Sequence, residues 1–115
     1  MTQRIRFIWM FALLALFAYI NKIEFIIFCF HRTEKEQKEL FEEGKTKCDG
    51  VKKKSRHQNW RAIDLVVIED GKCIWHGTSK YELLGRFWKL LGGTWGHDWY
   101  KNKETDFDDI YHFEV

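Results

Sequence analysis

The chain has 115 residues, enough for one domain with a single modest core, so we expect one domain over residues 1–115. Apolar residues make up 45% and charged residues 31%, which is typical of a folded protein and too apolar for a disordered one. The 19 basic and 17 acidic residues nearly cancel to a net charge of +2, so no global field favours nucleic acid as a partner. Three cysteines, Cys29, Cys48 and Cys73, are widely spaced without a CxxC pair and predict neither a disulfide framework nor a cysteine-rich zinc site.

The N-terminal segment is strongly apolar and has two interpretations. Phe7 to Ile20 is a run of fourteen apolar residues preceded by Arg4 and Arg6, which imitates a signal peptide. A membrane span needs about twenty apolar residues, and Lys22 follows this run closely. A buried helix over residues 3–21 accounts for the same residues, although apolar side chains are spread all round it. We expect no cleavable signal peptide, and membrane association stays open.

A strand and a helix are predicted next. Residues 24–30, EFIIFCF, form a short run rich in Ile and Phe, which is typical of a buried strand. Thr33 and Glu36 form a capping-box pattern that predicts the start of a helix. Gly44 is placed to end this helix in the left-handed conformation.

A basic cluster lies in the polar loop predicted after this helix. Its members are Lys45, Lys47, Lys52, Lys53, Lys54 and Arg56. The simpler interpretation is a solvated loop, and the functional alternative is attraction to an anionic cell-wall polymer or a membrane surface.

The second half of the chain predicts a hairpin, a helix and a last strand. Residues 62–68 alternate and are β-branched, and Asp70-Gly71 is a strong turn signal before a second strand. Ser79 with Glu82 forms another capping-box pattern for the helix. A glycine- and tryptophan-rich loop, an acidic stretch and a short strand over 110–115 follow. These elements predict the α+β class, with a small antiparallel sheet packed by about three helices.

Three residues form a candidate metal site. Zinc peptidases need three nitrogen or oxygen ligands and one open position where a water molecule is activated. His57, Asp64 and His112 would supply that set, and Asp109 could take the proton from the water. Residues three apart on a regular strand point to opposite faces, so Asp109 and His112 can converge only if the strand begins after Asp109.

The spacing of these residues carries a family resemblance. SxH, then six residues and Asp, then a late carboxylate-x-x-His resembles the D-alanyl-D-alanine carboxypeptidase and L-alanyl-D-glutamate peptidase family of zinc peptidases. That family includes phage endolysins and vancomycin-resistance dipeptidases. Further segments are similar in the same order: FAYINKIEF at 17–25, HRTEKEQ at 31–37 and LGRFWKLLGGTWGHDW at 84–99. The resemblance implies a hedgehog/D-Ala-D-Ala peptidase-like fold, with the apolar N-terminus as its first helix.

The resemblance also implies roles for individual residues. His57, Asp64 and His112 match the zinc ligands, and Asp109 matches the catalytic carboxylate. Arg32 matches the arginine that binds the substrate carbonyl and steadies it as it becomes an oxyanion. Ser55 would bind substrate or help to shape the site next to the first ligand. The expected cofactor is therefore zinc.

Some positions depart from the family pattern. Many members have glycine where this chain has Trp60 and His97, so both residues add bulk near the expected cleft. Ile20 and Ile26 occupy positions where polar residues are common, which is a second reason to leave membrane association open.

Several alternatives to these assignments stay open. His76 and His97 are competitors for the third ligand position, and Asp106 or Asp108 could replace Asp109 if the turn is shifted. Arg32 could instead form a salt bridge with a helix carboxylate.

The function expected from the resemblance is that of a zinc-dependent, endolysin-like peptidoglycan peptidase, as found in bacteriophages. It would hydrolyse an L-alanyl-D-glutamate or D-alanyl bond of the stem peptide. The alternatives are a non-catalytic, zinc-stabilised cell-wall binding module and a membrane-tethered form of the enzyme. We expect a monomer whose partner is the stem peptide and not nucleic acid. It would be made in the cytoplasm of a bacterial host and act at the cell wall or in the periplasm.

Overall fold

The structure is a computed structural model that describes residues 1–45, 48–51 and 55–115. Four members of the basic cluster, Lys47, Lys52, Lys53 and Lys54, lie outside the described residues, so both interpretations of that loop stay predictions.

The described residues form four helices and five strands. They are α1 (Gln3–Ile20), β1 (Glu24–Cys29), α2 (Glu34–Glu42), β2 (Ala62–Glu69), β3 (Lys72–Ile74), α3 (Ser79–Leu90), β4 (Thr94–Trp95), α4 (His97–Lys101) and β5 (His112–Glu114). The predicted α+β class is confirmed.

The strands form one antiparallel sheet in the order β1-β2-β5-β4, with β3 paired to β2. Asp70 and Gly71 join β2 to β3 with φ angles of 52° and 75°, and two positive φ values are what a tight type I′ hairpin turn requires. The predicted hairpin is confirmed. Strand β5 lies between β2 and β4, so residues near position 112 are held in the middle of the sheet.

One face of the sheet packs on α1 and α3 to form the core. Its buried side chains include Phe7, Met10, Leu14 and Ala18 of α1, Ile63, Leu65 and Val67 of β2, and Tyr81, Leu84 and Trp88 of α3. Because side chains alternate along a strand, Asp64 is turned to the opposite face of β2.

The start and end of α2 agree with the sequence signals. The amide of Glu36 donates to the Thr33 hydroxyl, and the amide of Thr33 donates to the Glu36 carboxylate, each over 3.1 Å. Gly44 has a φ of 75°, the left-handed conformation predicted for the residue that ends this helix.

The predicted cap of α3 is wrong by one residue. Thr78 is the N-cap, and its hydroxyl accepts a hydrogen bond from the amide of Tyr81. Ser79 is already helical, because the extended backbone of Thr78 makes that residue the last one outside the helix. Ser79 and Glu82 therefore do not form the expected capping box.

The segment before β5 is more regular than predicted. It contains the two-residue strand β4 and the five-residue helix α4, where the sequence predicts a loop. The indole nitrogen of Trp95 donates to the carbonyl of Ile110 over 2.8 Å and fixes this segment on the turn before β5. That turn is closed by the amide of His112, which donates to the carbonyl of Asp109 over 3.2 Å. The last strand is therefore shorter than the predicted range 110–115.

Candidate metal centre

Strand pairing brings two of the predicted ligands together. Asp64 of β2 lies opposite His112 of β5 in the antiparallel ladder. His57 lies in the turn before β2, where its amide donates to the hydroxyl of Ser55 over 3.2 Å. Its carbonyl accepts from the amide of Arg32 over 3.3 Å, which ties this turn to the end of β1. The backbone thus positions all three predicted ligands.

Both histidine rings point a nitrogen at the Asp64 carboxylate. Nε2 of His57 lies 3.3 Å from Oδ2, and Nδ1 of His112 lies 3.2 Å from Oδ1. The two rings have centroids 5.0 Å apart, and both side chains are buried. The structure therefore gathers His57, Asp64 and His112 into one cluster, while their roles as ligands stay predictions.

The second nitrogen of each ring has its own partner. Nδ1 of His57 lies 3.1 Å from the carbonyl oxygen of Phe30, and Nε2 of His112 lies 2.7 Å from the Glu114 carboxylate. Metal-binding histidines commonly donate their other N–H to a carbonyl or a carboxylate, which fixes the ring and its tautomer. With Nδ1 of His57 and Nε2 of His112 held in this way, the nitrogens that would bind a metal are the two that contact the Asp64 carboxylate. No local pattern in the sequence indicates Phe30 or Glu114, because both contacts depend on the folded sheet.

The contacts within this cluster shift the pKa values of all three residues in favour of their charged forms. Burial alone would raise the pKa of Asp64, but hydrogen bonds from His112 and His57 outweigh it and hold that pKa well below its usual range. Burial alone would lower the pKa of each histidine, but the Asp64 carboxylate raises the pKa of His57 to about 9. Asp64 and Glu114 raise the pKa of His112 to about 10. Without a metal the imidazoles are therefore protonated at neutral pH, and a cation could replace their protons.

Arg32 lies beside the same carboxylate. Its Nη2 is 3.7 Å from Oδ2 of Asp64, and its Nη1 donates to Oε1 of Gln37 over 2.7 Å. Gln37 is fully buried on α2 and donates to the carbonyl of Cys48 over 2.8 Å, so its orientation is fixed. The proposed alternative, a salt bridge from Arg32 to a helix carboxylate, is not the arrangement found among the described residues. Gln37 is the last residue of the HRTEKEQ segment at 31–37, and the similarity of that segment to the family is the sequence feature that could have indicated its role.

Cys29 is a neighbour of the site that the sequence did not indicate. Its Sγ lies 3.9 Å from Nδ1 of His57 and 3.7 Å from Nη2 of Arg32. One donor atom from each of Cys29, His57 and Asp64 fits within 4.8 Å of the others, so this trio could also hold a metal ion. The register of β1 shifts between Ile27 and Cys29, which sets Cys29 opposite Asp64. Residue spacing cannot reveal such an irregularity.

Asp109 lies in the turn immediately before β5. The strand begins at His112, which satisfies the condition under which Asp109 and His112 can converge. Gly96 lies against this turn so closely that a Cβ there would be 2.3 Å from the Asp109 carbonyl oxygen. Burial raises the pKa of Asp109, and the nearby His112 opposes the rise. A raised pKa suits a carboxylate that has to accept a proton during a reaction.

The competing residues lie elsewhere. Nδ1 of His97 is 2.7 Å from a carboxylate oxygen of Asp108, and its ring lies beside Trp95. His76 and Asp106 are exposed. Within the described part of the chain, neither histidine is recorded in contact with Asp64, and the choice of ligands and of the general base stays a prediction.

Trp60, one of the departures from the family pattern, has an unusual backbone conformation. Its φ of 60° is a conformation that glycine adopts without strain and a bulky residue rarely does. The Trp60 ring stacks on His31, with centroids 3.8 Å apart, next to the arginine at the end of β1. The effect of this bulk on a substrate cleft stays a prediction.

The fold now defines a class. No protein-family model matches the chain, and no curated protein is similar to it in sequence. Solved structures nevertheless share the arrangement of helices and strands. The arrangement is shared with two solved peptidases, so the predicted fold is confirmed.

Two solved structures represent this class. The L-Ala D-Glu endopeptidase ChiX of Serratia marcescens has a TM-score of 0.63 and 22% identity, covering 81% of this chain and 67% of that one. The vancomycin-resistance D,D-pentapeptidase VanY from a VanB-type resistance cassette, solved as a mutant in complex with Zn(II), has a TM-score of 0.68 and 19% identity. That comparison covers 96% of this chain and 71% of VanY.

Proposed function

We propose that this chain is a zinc-dependent peptidase that hydrolyses the stem peptide of peptidoglycan. One observation carries the proposal: Nε2 of His57 and Nδ1 of His112 converge on the Asp64 carboxylate. The fold adds support, because it is shared with an L-Ala D-Glu endopeptidase and with a D,D-pentapeptidase in complex with Zn(II).

The donor set fits zinc. Two imidazoles and one carboxylate make a three-ligand set of the kind that leaves a fourth position of a tetrahedral ion open. The Phe30 carbonyl and the Glu114 carboxylate supply the outer contacts that orient such ligands. When bound, zinc supplies a Lewis acid that activates water and polarises the scissile carbonyl.

Asp109 and Arg32 would carry the remaining chemistry. Asp109 would accept a proton from the attacking water and pass it to the leaving amine. Arg32 would place its guanidinium near the carbonyl oxygen as negative charge develops there, and Gln37 would hold the arginine in position. The hydroxyl of Ser55 accepts from the backbone of His57, which supports a positioning role for Ser55 more than direct contact with substrate.

The bond that is cleaved is the finer part of the proposal. The two similar structures are named for different bonds, and an L-alanyl-D-glutamate or a D-alanyl bond is compatible with the site. An endolysin-like role in cell-wall lysis is part of the same proposal.

The test is incubation of zinc-loaded protein with purified peptidoglycan, followed by mass analysis of the released peptides. We expect zinc-dependent release, and the product masses will name the bond. Binding to peptidoglycan without release would instead identify a cell-wall binding module. If the protein neither binds peptidoglycan nor releases peptides from it, the stem peptide is not its substrate.

A further inference from the structure

Helix α1 has an inner face that belongs to the core. Its buried residues include Phe7 and Leu14, and the rings of Phe7 and Trp88 are 5.7 Å apart. Farther along, Phe17 stacks on Phe87 of α3 with centroids 4.3 Å apart. The helix cannot leave these contacts without opening the core.

The outer face of α1 is apolar as well. Seven large side chains on it are between 46% and 81% exposed: Ile5, Ile8, Trp9, Leu13, Leu16, Tyr19 and Ile20. Single exposed apolar residues are ordinary, but these follow one another at helical spacing over 18 residues, a length of about 27 Å. A continuous apolar face of this kind marks an interaction surface.

A groove continues this face at the N-terminal end of the helix. It has a volume of about 490 Å³ and is lined by Thr2, Arg4, Ile5, Ile8, Phe30 and Trp60. The guanidinium of Arg4 lies 5.5 Å from the centre of the Trp60 ring, so the apolar groove carries a cation.

The charged residues of this N-terminal segment are all basic. Residues 1–23 contain Arg4, Arg6 and Lys22 and no acidic residue. Trp9 and Tyr19 are 59% and 81% exposed on this face, and such amphipathic rings favour the boundary between lipid and water. The face is therefore complementary to anionic headgroups above a hydrocarbon layer.

We propose that the outer face of α1 and the groove at its N-terminal end dock on an anionic phospholipid bilayer. The helix lies in the plane of the interface, with Arg4 and Lys22 at the level of the lipid phosphates. The folded domain stays intact, because only side chains that already face outwards enter the lipid.

A second copy of the chain fits this surface less well. Residues 1–23 carry basic and no acidic side chains, so a second copy packed on this helix would set like charges against each other. A membrane span also fits less well. Helix α1 is long and apolar enough to cross a membrane by length and composition, but spanning would remove Phe7 and Leu14 from the core.

Docking would bring the candidate metal centre close to the membrane surface. Phe30 lines the groove, and its carbonyl is also the partner of His57 Nδ1 over 3.1 Å. The docking surface and the site therefore meet at one residue.

The test is flotation of the full chain with vesicles of phosphatidylcholine alone or mixed with phosphatidylglycerol. We expect binding to the mixed vesicles, with alkaline buffer releasing the protein. The double variant Leu13→Gln/Leu16→Gln should lower partitioning roughly tenfold or more, because both leucines are half exposed and face the lipid. The matched control is Leu83→Gln/Leu90→Gln, whose leucines are 44% and 84% exposed on α3, and it should bind normally. Circular dichroism verifies that each variant is folded.

Several results would overturn the proposal. They include no binding of the full chain to the mixed vesicles, equal loss of binding in the control variant, and release by detergent alone, which would identify a membrane span. A dimer in ultracentrifugation that dissociates in Leu13→Gln/Leu16→Gln, without vesicle binding, would assign the surface to a second copy. Arg4→Gln tests the role of the anionic headgroup. It should weaken binding to the mixed vesicles and leave any weak binding to phosphatidylcholine unchanged. Equal binding of the unaltered chain to both vesicle types would contradict that role.

Discussion

Asp64 is the residue on which the candidate metal centre converges. Its two carboxylate oxygens face different histidines, and Arg32 approaches one of them. The sequence predicted His57, Asp64 and His112 because their spacing forms a recognisable motif. It could not predict Glu114, whose contact with His112 depends on side-chain orientation in the folded sheet, or Cys29, which faces Asp64 only because β1 is irregular.

Asp109→Asn tests the proposed general base. The amide is nearly isosteric but cannot accept the proton, so we expect normal zinc content and a loss of hydrolysis of about 10²–10⁴-fold. Asp106→Asn is the control, because Asp106 is exposed, and it should change little. Turnover and zinc content are measured on the same preparation. Near-normal turnover in Asp109→Asn would show that Asp109 is not the general base. A loss of zinc in parallel with the loss of turnover would show that Asp109 stabilises the metal ligands instead.

Zinc binding should depend on pH. The metal-free protein has pKa values of about 9 for His57 and about 10 for His112, so both rings are protonated at neutral pH. Zinc binds neutral imidazole, so we expect its affinity to rise from about pH 6.5 towards pH 9, with about two protons released per ion near neutral pH. Calorimetry in two buffers of different ionisation enthalpy measures this release. An affinity that stays constant over this range would contradict the raised pKa values.

The same pKa values determine how pH affects the metal-free fold. Both histidines have folded-state pKa values above the ordinary 6.5, so their stabilising contribution is complete below that pH. It should be lost as the pH rises through 9 to 10. The lowered pKa of Asp64 acts at the other end, where its contribution is lost in acid.

Among the helices and strands, the sequence predicted those that depend on interactions between residues close together in the chain. The cap at Thr33 and the turn at Asp70-Gly71 depend on residues next to one another in sequence, and both are present. Strand β4 and helix α4 were not predicted, because two and five residues carry too little pattern. They are formed by pairing with β5 and by the bond from Trp95 to Ile110, which are contacts distant in sequence.

The N-cap of α3 gives a matched pair of substitutions. Thr78→Ala should lower the free energy of unfolding by about 1 kcal/mol, because it removes the oxygen that accepts from the amide of Tyr81. Ser79→Ala should change it by less than about 0.5 kcal/mol, because Ser79 is exposed and lies inside the helix. Urea unfolding of the two variants measures the difference, and a larger effect at Ser79 would restore the cap predicted from the sequence.

At the scale of the whole molecule, strand order creates the site. Placing β5 beside β2 brings His112 opposite Asp64, although 48 positions separate them. The order of motifs along the chain predicted the ligands, but strand order cannot be derived from local periodicity. The resemblance supplied that part of the fold.

Deleting residues 1–21 tests whether α1 is part of the domain. The deletion removes Phe7, Met10 and Leu14 from the core, so we expect insoluble protein. The variant Leu13→Gln/Leu16→Gln changes the outer face alone and should remain soluble without detergent. The soluble fraction of each protein is measured after expression. A truncated chain that stays folded and cleaves peptidoglycan would instead show that α1 is a separable anchor.

The proposed metal centre consists of His57, Asp64 and His112, and elemental analysis of purified variants is its sharpest test. We expect one zinc per chain in the unaltered protein and loss of tightly bound zinc in His57→Ala, Asp64→Ala and His112→Ala, because each removes one of three ligands. His97→Ala is the control and should keep its zinc, since His97 is paired with Asp108. Circular dichroism verifies that the variants are folded. One zinc per chain in any of the three ligand variants, or its loss in His97→Ala alone, would mean that these three residues do not form the centre.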